Sequence, residues 1–82
     1  MDYRVIYSEI YPSSGPCRER SEEFSKETEP EAIQEFRRLA EKADSDNRDG
    51  RSKGFWEAKG LYRIDQREIT TKIPVELPAY RF

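Results

Sequence analysis

Basic residues interleaved with aromatics are the densest chemical signal in this chain. Arg48, Arg51, Lys53, Phe55, Trp56, Lys59, Tyr62 and Arg63 all fall between positions 48 and 63. Cations that track a phosphate backbone, with ring faces on which bases stack, are how proteins hold single-stranded nucleic acid. Arg48, Arg51, Lys53, Trp56 and Lys59 are the candidate contacts for such a role. Two features weigh against it. The net charge of −2 opposes strong phosphate binding. The same rings and cations also suit a protein interface, where aromatic anchors sit inside a polar rim.

The stretch does not complete a nucleic-acid signature. Lys53-Gly54-Phe55 starts like the ribonucleoprotein sequence of RNA-recognition motifs. Trp56 then stands where glycine or alanine belongs, and Glu57 where an aromatic belongs. That fold also needs a helix between its first two strands, and none is expected here.

Catalytic chemistry is thin. The chain has no histidine, so the commonest general base and metal ligand is missing. Cys17 is the one cysteine. It excludes a cysteine zinc site and a disulfide framework within one chain, and it favours a reducing, cytoplasmic compartment. No Gly-Lys-Ser/Thr loop and no Gly-x-Gly-x-x-Gly run is present. The neighbouring carboxylates Glu22 and Glu23 point to opposite sides of a strand and cannot act together. Ser45, Asn47 and Asp49, counted back from Gly50, fit the first positions of a calcium loop, but Trp56 then takes the place of the bidentate glutamate. No catalytic residue, metal or cofactor is expected.

Eighty-two residues make one domain, spanning 1–82. A chain of this size buries roughly 60–65% of its unfolded surface, enough for one modest core. Charged residues are 39% and hydrophobic ones 34%, while the 12% aromatic content is high for a disordered chain. No run is long and apolar enough to span a membrane, and the N-terminal stretch lacks the apolar segment of a signal peptide. Charge is uneven: residues 1–47 carry a net of −5 and residues 48–82 a net of +3.

The elements that must position these residues are read from periodicity. Ala32, Ile33, Phe36, Leu39, Ala40 and Ala43 recur at helical spacing, with charge on the other face. Thr28 is placed as N-cap, Glu31 follows three residues later, and Pro30 sits in the first turn. The spacing predicts a helix over 29–43, followed by a polar loop over 44–54. Residues 2–11 alternate as a strand. Residues 17–27 read as a charged edge strand hairpinned to it. Residues 55–64 read as a strand whose alternation slips at Gly60, the mark of a bulge. Residues 69–77 have a period of two, and Pro74 confines them to an edge or ends them near Ile73.

The order β-β-α-β-β predicts an α+β fold, a four-stranded antiparallel sheet in order 2-1-3-4 with one helix on one face and a right-handed crossover. One helix covers one face only. Neither face of the first strand is cleanly polar, so an aromatic or aliphatic patch is left on the open face unless residues 78–82, with Tyr80 and Phe82, fold over it. The expected role is therefore non-enzymatic: binding another protein, or a second copy as a homodimer, through that face and the 44–54 loop. Tyr7, Tyr11, Trp56 and Tyr62 are the expected anchors, with Arg51 and Lys53 at the rim. An accessory or inhibitor protein of a phage or mobile element fits this size and chemistry.

Overall fold

Alternation in the first strand decides which side of the molecule becomes its interior. A computed structural model describes residues 1–10, 15–50 and 54–77. Its elements are β1 (Asp2–Ile10), β2 (Glu19–Ser25), α1 (Glu29–Asp49), β3 (Phe55–Ile64) and β4 (Thr70–Ile73). The strands form one antiparallel sheet in spatial order β2-β1-β3-β4, as the sequence predicts. β2 and β3 both run antiparallel to β1, so they are parallel to each other, and α1 carries the chain from one to the other across β1.

Tyr3, Val5 and Tyr7 point to the helix side of β1 and are buried. They meet Ala32, Phe36 and Ala43 of α1 together with Trp56, Leu61 and Ile73. Phe24, half-buried on β2, stacks on Tyr3 with ring centroids 5.8 Å apart. The rest of β2 is exposed, which suits a charged edge strand. β4 ends at Ile73, just before Pro74, and Val75 and Leu77 pack against the core beyond it. Ile69 lies outside β4 and is exposed.

The bulge lies where Gly60 suggests it. Ile6 pairs with Gly60 but Tyr7 pairs with Ala58, so Lys59 is the extra residue. Five positions separate Trp56 from Leu61, and a regular strand would send them to opposite faces. The bulge returns both to the helix side and leaves Phe55, Glu57, Gly60, Tyr62 and Ile64 on the other.

The helix is longer than its apolar stripe implies. It begins as expected, with Thr28 extended at the N-cap, its hydroxyl accepting from the Glu31 N–H and donating to the Glu31 carboxylate at 2.9 Å. It does not stop at Ala43 but continues to Asp49, so residues 44–49 of the expected loop are helical. Ion pairs Lys42–Asp46 and Arg48–Asp44 brace this extension one turn apart. Gly50 ends it at φ 67°, its N–H directed at the Asn47 carbonyl. The buried stripe continues through Ala40, Ala43, Asp44 and Asn47. Helical spacing is kept while side-chain polarity changes, so hydropathy alone misses these turns.

Asn47 explains why a polar residue is buried there. Its Nδ2 donates to the Trp56 carbonyl at 2.7 Å, and the Trp56 N–H donates to its Oδ1 at 3.1 Å. β4 pairs only with Leu61–Ile64 of β3. Asn47 therefore takes the part of a neighbouring strand for the other end of β3, whose backbone groups would be costly to bury unpaired.

Candidate functional site

Cross-strand partners in an antiparallel sheet share a face, so the pairing register assigns every strand residue to one side. The helix side holds Tyr7 and Trp56, two of the expected anchors. Tyr7 is 2% exposed and Trp56 9%. Their place in the core corrects the expectation that they line the open face. The first is set by the alternation of β1, the second by the bulge.

Arginines of the β2 side close over these rings. The Arg20 guanidinium stands 4.7 Å from the Tyr7 ring centre and 5.0 Å from that of Trp56. Arg18 lies 5.5 Å from Trp56 and binds the Glu9 carboxylate at 2.6 Å, which holds that carboxyl below its ordinary range. The Tyr7 hydroxyl donates to Glu22 Oε2 at 3.4 Å. Burial, and then the Glu22 charge, push the Tyr7 hydroxyl up to about 12. Tyr7, Arg20, Glu22, Arg38, Lys42 and Asp46 line a shallow cleft of about 130 Å³ between α1 and β2. Both signs of charge border it, and Arg38 and Lys42 are bound to Glu35 and Asp46.

The open face has a different make-up. Reading across from β2 to β4, one row is Glu23, Arg4, Tyr62 and Lys72. The next is Ser21, Ile6 and Gly60, then Glu19, Ser8 and Glu57, and then Ile10 with Phe55. Ile64 and Asp2 lie at the other end. Ile6, Ile10, Tyr62 and Ile64 are half-buried, and Phe55 is 39% exposed. The Tyr62 ring covers Gly60: a β-carbon there would come within 3.2 Å of its Cε2. Glu23 pairs with Arg4 at 3.3 Å and Glu57 with Lys59 at 2.6 Å, leaving aliphatic and aromatic surface between ion pairs.

Of the expected protein-binding residues, the structure places Tyr62 on this face. Tyr11, Arg51 and Lys53 lie outside the described residues, as do Tyr80 and Phe82. Ile6, Ile10, Phe55 and Ile64 join Tyr62 in their place. The signal for them was parity: once Tyr3, Val5 and Tyr7 are inward, Ile6 and Ile10 must be outward. Among the described residues, the basic-aromatic stretch is not assembled as one surface. Arg48 is bound to Asp44 at 2.8 Å, Lys59 to Glu57, and Trp56 lies beneath Arg18 and Arg20. Ser45, Asn47 and Asp49, the first positions of the calcium-loop alignment, are all helical.

Comparison with protein-family models, curated proteins and solved structures finds no match for this chain. No helix among the described residues is long and apolar enough to cross a membrane.

Proposed function

We propose that this chain is a small non-enzymatic binding protein whose working surface is the open face of its sheet, and that it engages another protein there. One observation carries the reading. Ile6, Ile10, Phe55, Tyr62 and Ile64 share the side of the sheet opposite the helix, and none of them belongs to the core cluster. Partly exposed aliphatic and aromatic side chains set among ion pairs have the make-up of an interface, with apolar anchors inside a charged rim. Residues 44–49 of the expected loop belong to α1 and drop out of this reading. A cytoplasmic location is proposed on the single, exposed Cys17.

The nucleic-acid alternative has less support. It needs Trp56 as a stacking platform, yet the ring is nearly buried and already faces two guanidinium groups.

The test is site-resolved crosslinking. A photoreactive residue at Ile6 or Tyr62 should crosslink a protein under native conditions, and one at Arg37 on the exposed side of the helix should not. Crosslinks at Arg37 alone would overturn the reading.

A further inference from the structure

We infer that the protein seated on the open face is a second copy of this chain, turned about a two-fold axis that runs along the strands between β1 and β3. This inference rests on the reading of that face as a binding surface. What selects the occupant is the charge pattern of the face and the way it matches its own image.

A two-fold axis along the strands can stand over β1, over β3 or between them, and one across the strands can pass through the central row of the face. An axis over β1 sets Arg4 on Arg4 of the copy. An axis over β3 sets Arg4 on Lys72. An axis across the strands, through the row of Ile6 and Gly60, sets Glu23 on Glu19. Each of these stacks like charges, which opposes association. The axis between β1 and β3 lays β1 over β3 of the copy and β2 over β4. Glu23 then meets Lys72, Arg4 meets the Tyr62 ring, and Ile6 meets Gly60 beside that same ring. Both partners of each contact come from one row of the register, and the symmetry makes each contact twice. Tilting the axis slightly from the strands gives the angle of about −30° at which packed sheets normally lie.

The available area sets the strength. Strands of 9, 7, 10 and 4 residues, about 4.8 Å apart and rising about 3.3 Å per residue, give a face of roughly 500 Å². Two such faces bury about 1,000 Å² in all, the lower limit for a specific interface, so a weak dimer that forms at tens to hundreds of micromolar is expected.

Sedimentation of the full chain over that concentration range tests the inference, with two charge reversals on exposed side chains. Glu23→Lys and Lys72→Glu each turn both cross-copy attractions into repulsions and should each weaken self-association about tenfold. Mixed in equal amounts, the two variants should recover wild-type association, because their hetero-pair restores both contacts. Ile6→Asp should leave monomer. A chain that is monomeric even at millimolar concentration overturns the inference, and so does dimer indifferent to the reversals or to Ile6→Asp. A dimer seen only after removal of residues 78–82 also overturns it, because that segment is then the occupant. In each of these cases crosslinking from Ile6 and Tyr62 to a different protein still decides the broader reading.

Discussion

On one side of the sheet Tyr3, Val5, Tyr7, Leu61 and Ile73 have lost nearly all contact with water. On the other, Ile6, Ile10, Phe55, Tyr62 and Ile64 keep part of their surface in it. The same strands supply both sets, and hydrophobicity does not distinguish them. The difference is made by three devices: the helix, whose small residues Ala32, Ala40 and Ala43 allow close approach; the bulge at Lys59, which turns Trp56 inward; and Arg18 and Arg20, whose guanidinium groups lie over the Tyr7 and Trp56 rings. Aromatic residues mark an interface only after the register has been assigned.

The largest expected effect lies on the covered side. Leu61→Ala should cost about 2–5 kcal/mol in chemical denaturation, because the helix and sheet cannot collapse fully around the void. For a domain of this size the total stability is on the order of 4–12 kcal/mol, so much of the population is at stake. If Leu61→Ala costs less than Phe55→Ser, the contrast between the faces is wrong. Asn47→Ala comes next, at about 2–4 kcal/mol, because two backbone groups of Trp56 lose their partner. Asn47→Asp should also destabilise, since it offers oxygen to the Trp56 carbonyl in place of a donor; the same denaturation curves measure both.

A pH dependence follows from Tyr7. Its folded value of about 12 lies above the ordinary 10.0, so the folded state keeps the phenol proton when the unfolded state has released it. The contribution is fully present below pH 10 and is lost as the pH rises towards 12, on the order of 1–2 kcal/mol. Burial moves Tyr3 in the same direction. Thermal melts should therefore fall over this window, and Tyr7→Phe should shrink the fall. The smallest effect belongs to the open face: Phe55→Ser should change folding stability by less than about 1 kcal/mol while weakening whatever association the face supports.

Much of this fold was legible from pattern. The strand order, the N-cap at Thr28, the bulge near Gly60 and the end of β4 before Pro74 each follow from a local rule with a local cause. The last turns of α1 were not legible, because the buried positions there are polar: Asp44 pairs with Arg48 on its own helix, and Asn47 bonds to Trp56, which only the fold brings near. The binding surface was half legible. Parity sorts Ile6 and Ile10 from the Tyr3, Val5 and Tyr7 row, but it does not say which row meets the helix. In β3 it gives the wrong face for Trp56 unless the width of the bulge is known.

That bulge also bears on how a gene for this protein can change length. Removing the codon for Lys59 would leave a regular strand with Trp56, Ala58 and Leu61 still inward and Phe55, Glu57, Gly60 and Tyr62 still outward. Losing Trp56 or Leu61 itself would empty part of the core. A one-residue gap is therefore best tolerated at position 59, and a descendant carrying it would keep both faces of its sheet.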